Sequence, residues 1–589
     1  MPRGAAGMVA LRLAAAVGTV VAVYIAAQFA QAPHAGWVAA GLGLPLAALA
    51  AFRVPAAAHS TTLAASAPPP ASAPVRGVQV VAIAVPLCLL VLLPVLLTWL
   101  PADDDYPNHL ARIQVMALHG RDALLAQFYV IRWKLIPNLG MELLLPPLAA
   151  ATGVFFAGKL FLIVTMLLLM TGPLAIAAAL FGRASFGPLA AVLFAYNGIS
   201  KMGVLNYEFG IGLMLFAVAG WVALRARPAV LRAVFSLGCV LVLFFCHLEA
   251  LGCYGLVVGS YELWYAVARP RPSRALLVDA AALVLPFAPA IPLLLLGPGK
   301  GGEYATPTHW GGLHARIDGL RFLLETYDPT RDLLAMLAMA AGFMMAVRRR
   351  LLFLHPFGWV VLAVTGFAYL TVPNELHGTW GAADRLPIAT LLVLLGALRW
   401  QFATPGARAG FLVALWLLAG FRTAAVAGAF ARYDRVAENV EASLALIPRG
   451  SRVLVATVDT GLPDALVGAI DELPLLAMIE RSCLVSLAYA HPEQQILSVV
   501  ASYRGSTGGF DDQPVPLPLL LRPPRALPAG TELPFAPSGR IYWRDWPRTY
   551  DFVYVIDRGD PASPAPGRLQ LVYRGNRFEL FRVGTEHGG

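Results

Sequence analysis

The residues best placed for chemistry directly follow an apolar run, in the stretch PADDDYPNHLARIQ. Pro107 suits the first turn of a helix that would begin at this point. In that helix Asp105, His109 and Arg112 are spaced i, i+4 and i+7, and they share one face. A carboxylate can act as a general base on a hydroxyl group, and an arginine can hold a phosphate through two hydrogen bonds. The set therefore predicts transfer to or from a phosphate-linked group.

The acidic run itself offers more than one assignment. Asp105 is the first candidate for the base and Asp104 the second. Asp103 and Asp105 form a D-x-D pair whose oxygens could hold a divalent cation, Mg²⁺ or Mn²⁺. The alternative is a solvated acidic loop that caps a helix and helps to set the membrane topology.

Two later turns add candidates for substrate binding. Arg385 directly precedes an apolar helix in TVPNELHGTWGAADRLP, where it could meet a lipid phosphate. His247 and Glu249 lie in FFCHLEALG between two short apolar runs, and ionisable groups so near the bilayer tend to face a cavity. The alternatives are an arginine reaching for lipid headgroups and a structural polar cluster at helix ends.

The composition identifies the environment of these residues. The chain has 589 residues, of which 58% are hydrophobic and only 13% charged, and the mean hydropathy is +0.68. A soluble protein carries roughly 25% charged residues, so a soluble enzyme is excluded. The net charge of +10 does not indicate nucleic acid, because no basic patch is interleaved with aromatic residues.

Apolar runs near the ~20 residues needed to cross a bilayer recur along the chain. We predict about 13 transmembrane helices, at 8–30, 37–53, 79–100, 154–181, 185–198, 204–224, 230–246, 249–267, 276–296, 333–347, 352–372, 386–402 and 409–430. The run 138–152 contains Pro146 and Pro147, and it is predicted as a re-entrant or membrane-surface helix.

Basic residues predict the orientation of these helices. With the N-terminus in the cytoplasm, the inner connections hold fifteen arginines and no Asp or Glu, whereas the outer connections carry the acidic residues. This asymmetry follows the positive-inside rule. The arginines are Arg3, Arg53, Arg76, Arg183, Arg225, Arg227, Arg232, Arg269, Arg271, Arg274, Arg348, Arg349, Arg350, Arg399 and Arg408. An odd number of spans places the C-terminal region outside, which is the periplasm if the membrane is a bacterial inner membrane.

Four regions follow from these patterns. Residues 1–53 form two N-terminal transmembrane helices, and residues 54–77 form an Ala/Pro-rich cytoplasmic linker. Residues 78–430 form the transmembrane core, with a first periplasmic loop at 101–140. In residues 431–589 the apolar runs shorten to strand length, as in Val453–Val458 and Phe552–Ile556, and residues 569–583 read as a hairpin with its turn at Gly575–Asn576. The fold class is therefore an α-helical polytopic membrane protein with a small C-terminal α/β extracytoplasmic domain.

The multi-span core, the outer loop opening with Asp103-Asp104-Asp105 and the outer C-terminal domain resemble the GT-C superfamily of integral-membrane glycosyltransferases. The segments DYPNHLAR (105–112), PNLGMELL (137–144) and DRLP (384–387) look like a bacterial branch of that superfamily without an assigned substrate. The resemblance implies a polyprenyl-phosphate-linked sugar as donor, a carboxylate of the first outer loop as catalytic base, and usually inversion at the anomeric carbon. Members have a paired Asp-Glu or a spaced acidic motif, whereas this chain has three consecutive aspartates.

These observations predict a glycosyltransferase that moves a sugar from a polyprenyl phosphate to a glycan, lipid or protein acceptor. Asp105 or Asp104 would be catalytic, and the substrate-binding candidates are His109, Arg112, His247, Glu249 and Arg385. Two alternatives remain at this point. A transporter or flippase for lipid-linked glycans would need polar residues at mid-span and repeat symmetry. A non-catalytic envelope assembly protein would tolerate replacement of the three aspartates.

Overall fold

A computed structural model describes residues 75–296, 308–375, 380–402, 404–458, 464–490, 494–507, 514–521, 541–557 and 567–584. The two predicted N-terminal transmembrane helices and all but the last residues of the predicted linker lie outside the described residues. The description therefore begins just before the helix that leads to the acidic run.

The helices are numbered in chain order. They are α1 (Gly77–Leu97), α2 (Tyr106–Ala117), α3 (Ala123–Phe128), α4 (Gly140–Thr152), α5 (Val154–Phe181), α6 (Gly198–Lys201), α7 (Leu205–Ala223), α8 (Ala229–Cys246), α9 (Leu248–Ala268), α10 (Ser273–Val284), α11 (Ala290–Leu296), α12 (Leu313–Arg321), α13 (Pro329–Arg348), α14 (Pro356–Thr371), α15 (Leu386–Ala397), α16 (Pro405–Leu444), α17 (Val467–Glu472), α18 (Leu476–Arg481), α19 (Leu517–Leu521) and α20 (Trp546–Thr549).

The strands are numbered in the same way. They are β1 (Tyr129–Ile131), β2 (Leu352–Leu354), β3 (Leu398–Trp400), β4 (Arg452–Val458), β5 (Leu484–Val485), β6 (Leu497–Val499), β7 (Val515–Pro516), β8 (Phe552–Asp557), β9 (Leu569–Gly575) and β10 (Phe578–Val583). A six-stranded sheet has the order β5-β4-β8-β10-β9, and β7 also pairs with β4. Strand β4 is parallel to β5, β7 and β8, whereas β8–β10 and β10–β9 are antiparallel.

Within the described residues, seven helical segments are long and apolar enough to cross a membrane, and α14 and α15 are shorter apolar helices. The prediction of a helical polytopic membrane protein with a small C-terminal α/β region is therefore confirmed. Two of the predicted thirteen spans lie outside the described residues, so the structure does not test the full number.

The predicted span at 185–198 differs from an ordinary transmembrane helix. After α5, residues Gly187–Phe194 form a 3₁₀ helix whose side chains up to Leu193 are buried, and the short helix α6 follows. Gly187 packs against Trp400 at one end of this segment, and Lys201 accepts a backbone hydrogen bond from Asp104 at the other. The segment therefore passes through the bundle, but not as an α-helix. The 2.0 Å rise per residue of a 3₁₀ helix is longer than that of an α-helix and lets few residues cover the distance.

The run predicted as a re-entrant or surface helix forms α4, with Pro146 and Pro147 inside it. The helix ends at Gly153, whose φ of +89° suits glycine, and α5 begins at the next residue. Helix α4 thus ends in a sharp turn. Its first residues lie against the end of α8, because the Leu139 N–H donates to the carbonyl of Phe245 at 2.7 Å.

Helix α16 continues from the bundle into the C-terminal region. Its 40 residues correspond to a length of about 60 Å, which exceeds the thickness of a bilayer core. Charged residues become frequent only after Phe430, so the second half of the helix extends beyond the apolar part of the bundle. The predicted hairpin is also confirmed, because β9 and β10 pair around the turn at Gly575–Asn576.

The C-terminal region packs on the first outer loop. Strand β1 of that loop pairs antiparallel with β6, with Tyr129 opposite Val499. Asp122 accepts hydrogen bonds from Arg449 at 2.8 Å and from Ser482 at 2.7 Å. The loop and the C-terminal region therefore lie on the same side of the helix bundle.

Candidate active site

The acidic run is held in place by α16. At the end of α1, the backbone N–H groups of Trp99 and Leu100 donate to the carboxylate of Asp434 at 3.0 and 3.1 Å. Lys159 of α5 donates to the carbonyl of Thr98 at 2.5 Å. Both contacts fix the backbone at residues 98–100, directly after α1. The position of the following Asp103–Asp105 segment is therefore defined.

Asp105, His109 and Arg112 lie on one face of α2. The His109 Nε2 atom is 3.1 Å from Oδ2 of Asp105, and an Arg112 nitrogen is 2.6 Å from Nδ1 of His109. His109 and Arg112 are buried, whereas the Asp105 side chain is 37% exposed. The three groups form a chain that leads from the protein interior to an accessible carboxylate.

The protonation of His109 follows from its two neighbours. A guanidinium can only donate hydrogen bonds, so Nδ1 of His109 must be the acceptor. The imidazole is then neutral, and its proton on Nε2 points to Asp105. Asp105 is thereby the acceptor of this hydrogen bond.

Arg112 is anchored by a carboxylate from another helix. Its Nε donates to Oε1 of Glu142 on α4 at 2.7 Å, and both side chains are almost fully buried. The other oxygen of Glu142 accepts from Asn206 of α7 at 3.2 Å. Asn206 also accepts from the backbone N–H of Met141 at 2.8 Å. Helices α2, α4 and α7 are thus joined by one buried polar network.

Asp103 points into the interior. It is only 3% exposed, and Oδ1 is 3.4 Å from the hydroxyl of Tyr327, while Oδ2 has no hydrogen-bond partner in the described part of the chain. Burial, together with the charges of Glu208 and Asp104, raises the pKa of Asp103 well above its usual value. This aspartate therefore favours its protonated form.

Asp104 lies under the C-terminal region. A Cβ atom on Gly468 of α17 would come within 2.6 Å of the Asp104 carboxyl carbon, so only glycine permits this approach. Burial raises the pKa of Asp104 to about 7, against the opposing effects of Lys201 and the backbone N–H of Ala469. Asp104 therefore titrates near neutral pH.

The buried Asp104 carboxyl should make the stability of the protein depend on pH. A folded pKa above the unfolded value means that the folded state loses stability as pH rises from about 4 to about 7. Asp104→Asn removes this loss. The melting temperature of the variant minus that of wild type should therefore increase as pH rises from about 4 to about 7, and stay constant at higher pH. Thermal unfolding of both proteins in detergent from pH 4.5 to pH 8 measures the difference. A constant difference across this range would contradict the assignment.

A second polar cluster contains the other three predicted residues. Arg385, at the start of α15, lies 3.5 Å from Glu249 and 3.4 Å from Nε2 of His247. It also donates to the carbonyl of Trp380 at 2.9 Å. Its Nε is buried without a hydrogen-bond partner among the described residues. The sequence prediction placed these residues in two separate turns, and the fold brings them together.

The start of α7 connects the two clusters. Asn206 belongs to the network of Glu142, and the next residue, Tyr207, donates to the carbonyl of Arg385 at 2.6 Å. The turn before α7 also supports the acidic run, because Gly203 has a φ of +76° and a Cβ there would lie 2.8 Å from the backbone nitrogen of Asp105. The predicted residues therefore occupy one end of the bundle, next to the C-terminal region.

The predicted cation pair is arranged differently from an open D-x-D site. Asp103 is directed towards Tyr327 and Asp105 towards His109. No group of three or more His, Cys, Asp or Glu residues in the described ranges is close enough to hold a metal ion. Binding of Mg²⁺ or Mn²⁺ by Asp103 and Asp105 stays a prediction.

Sequence reasoning missed Glu142 and the specific role of Asn206. A single carboxylate within the apolar stretch PNLGMELLLPP was a usable signal, because an ionisable residue in such a run requires a partner. The partner itself was not identifiable, since Arg112 and Glu142 are 30 positions apart and meet only through tertiary packing.

No family model and no curated protein matches the chain. One solved structure, described as the crystal structure of ArnT from Cupriavidus metallidurans in the apo state, is similar to it. The two share 12% sequence identity with a TM-score of 0.44, over 86% of this chain and 97% of that one. A likeness of this size does not define a family, so the function is argued from the site.

Proposed function

We propose that the protein is a membrane glycosyltransferase that takes a sugar from a polyprenyl phosphate and transfers it to an extracytoplasmic acceptor. The observation that carries this proposal is the accessible Asp105 carboxylate, which is kept as a hydrogen-bond acceptor by neutral His109 and, behind it, by the buried Arg112–Glu142 pair. An accessible carboxylate held in a fixed position at the end of a helix bundle is suited to deprotonate a hydroxyl group.

In the proposed reaction Asp105 takes the proton of the acceptor hydroxyl. The acceptor oxygen attacks the anomeric carbon as the bond from that carbon to the phosphate oxygen breaks, and the polyprenyl monophosphate leaves with the bonding electrons. Attack from the side opposite the phosphate inverts the configuration. Asp104 is the less accessible candidate base, because Gly468 of the C-terminal region covers its carboxyl group.

Arg385 is proposed to hold the donor phosphate. It is buried beside Glu249 and His247, its Nε has no partner among the described residues, and guanidinium groups bind phosphate oxygens well. Arg112 is less available, because it donates to both Glu142 and His109. A divalent cation at Asp103 and Asp105 would assist phosphate departure, and chelation during the assay tests it.

Replacing Arg385 tests the phosphate contact. Arg385→Gln should raise the KM for the lipid-linked donor about 10- to 100-fold, because a charge-assisted hydrogen bond contributes about 1.5–3 kcal/mol. Arg385→Lys, which retains the charge, should have a smaller effect. The matched control is Arg321→Gln, because Arg321 is an exposed arginine at the end of α12. An unchanged KM in a folded Arg385→Gln protein would contradict the role.

The overall proposal is tested by product analysis. The full chain, reconstituted in vesicles with a polyprenyl-phosphate sugar and an envelope extract as acceptor source, should release free polyprenyl phosphate. A transporter would move the donor across the bilayer without cleaving it, and an assembly protein would leave it unchanged. Intact donor after incubation with folded, membrane-inserted wild-type protein would refute the transferase. The proposed location is a bacterial inner membrane, with the C-terminal region in the periplasm and contacting the acceptor.

A further inference from the structure

A large cavity lies at the end of the bundle remote from Asp105. Its volume is about 1010 Å³, and it is bordered by the ends of α7 and α9 and the starts of α8 and α10. Six arginines line it, and they are Arg225, Arg227, Arg232, Arg269, Arg271 and Arg274. Nothing in the proposed reaction uses this cavity.

Helix α8 places the cavity and the candidate active site at opposite ends of the bundle. The helix, one of the segments long and apolar enough to cross a membrane, starts at Ala229 of the cavity lining and ends at Cys246, next to His247 of the second polar cluster. Its 18 residues span about 27 Å, close to the thickness of the bilayer core. With the active site outside, the cavity opens at the cytoplasmic face.

The cavity holds more positive than negative charge. Asp279 accepts hydrogen bonds from Arg225, Arg232 and Arg271, at distances between 2.6 and 3.1 Å. Glu262 accepts from Arg232 at 3.1 Å. These two carboxylates face six guanidinium groups, which leaves an excess of four positive charges. An excess of this size in a concave site favours binding of an anion.

Several of the arginines are buried and held in fixed orientations, so the excess charge does not come only from flexible surface side chains. Arg232 is 2% exposed, and its Nε and that of Arg225 are buried without a hydrogen-bond partner among the described residues. The guanidinium of Arg225 lies 3.9 Å from the centre of the Tyr265 ring, and those of Arg269 and Arg271 lie 5.3 Å from it. Contacts between cations and an aromatic face orient the three guanidinium groups around one point.

The rim of the cavity carries exposed apolar side chains. Val267, Val230 and Val278 are between 48% and 74% exposed next to the arginines. A ligand that combines a phosphate with acyl chains would place its phosphate among the arginines and its chains along this rim. Basic pockets between transmembrane helices on the cytoplasmic side bind the headgroups of anionic lipids.

We propose that this cavity binds the phosphate headgroup of an anionic membrane phospholipid from the cytoplasmic leaflet. The excess guanidinium groups bind the phosphate oxygens, and the carboxylates of Asp279 and Glu262 hold the inner arginines in position. The site is separate from the proposed sugar transfer, and it anchors the cytoplasmic ends of α7 to α10.

The test uses the purified full chain and phosphatidylglycerol in mixed micelles, with phosphatidylcholine as the neutral lipid. Phosphatidylglycerol should raise the melting temperature of wild type in a saturable way, and native mass spectrometry should show the retained lipid. The double variant Arg269→Gln/Arg274→Gln leaves the three arginines bound to Asp279 in place. The affinity of this variant for phosphatidylglycerol should fall about 10- to 30-fold, since each basic residue near an anionic lipid contributes about fivefold.

The matched control is Arg348→Gln/Arg349→Gln, which removes the same charge from exposed arginines near the end of α13. These arginines do not line the cavity. The control should bind phosphatidylglycerol like wild type. Equal losses in both double variants, or no loss in either, would overturn the proposal. If inorganic phosphate alone stabilises wild type as much as the lipid does, the ligand is a free anion and the lipid assignment is wrong.

Discussion

Asp105→Asn should lower the rate of sugar transfer about 10²- to 10⁴-fold, the usual contribution of a general base. The asparagine keeps an oxygen that accepts the hydrogen bond from Nε2 of His109, but it cannot take up a proton at neutral pH. The side chain makes no capping bond to the start of α2, so the helix does not depend on it. Release of polyprenyl phosphate by the reconstituted protein measures the effect.

The control for this variant is Asp318→Asn. The side chain of Asp318 on α12 is 36% exposed, which matches the 37% of Asp105, and it pairs with surface groups only. The Asp318→Asn variant should retain wild-type activity. The base assignment would be refuted if Asp105→Asn kept more than about a tenth of wild-type activity and had an unchanged melting temperature. In that case Asp104→Asn decides whether the neighbouring carboxylate is the base.

Glu142→Ala is expected to destabilise the folded protein by about 3–5 kcal/mol. The change leaves the guanidinium of Arg112 buried without its carboxylate, and Asn206 loses one acceptor. An uncompensated buried charge is far more unfavourable than the loss of an exposed ion pair. Thermal unfolding in detergent measures the effect, and a melting temperature equal to that of wild type would contradict the inferred role of the pair.

The double variant Arg112→Met/Glu142→Leu separates stability from positioning. Apolar side chains of similar size remove both buried charges, so most of the stability should return. Activity should not return, because Nδ1 of His109 no longer receives a hydrogen bond from Arg112 and the tautomer that donates to Asp105 is not fixed. Full activity in this variant would show that the network serves only folding.

The predictions that the structure confirms depended on local sequence patterns. The helical spacing of Asp105, His109 and Arg112 depends on eight consecutive residues, and the β9–β10 hairpin depends on one turn at Gly575–Asn576. Both are determined by backbone geometry over a short distance. Apolar runs likewise located the helices, because a bilayer demands segments of similar length.

Tertiary contacts account for what the sequence did not reveal. Glu142 reaches Arg112 only because α4 folds back across α2, and Asp104 is covered by a glycine 364 positions further along the chain. The 3₁₀ segment after α5 was read as an ordinary helix, since its composition, GPLAAVLF, is that of any buried helix. Its conformation depends on the helices that surround it.

The cover that Gly468 and β6 place over the first outer loop has a consequence for biosynthesis. Asp103–Asp105 emerge from the ribosome long before their cover, and they are completed as a site only when Gly468 and β6 have docked on the loop. A nascent chain, or one truncated before Gly468, therefore has its first outer loop without this cover. The candidate site is therefore complete only after residues 468–499 have been synthesised and have folded onto the loop.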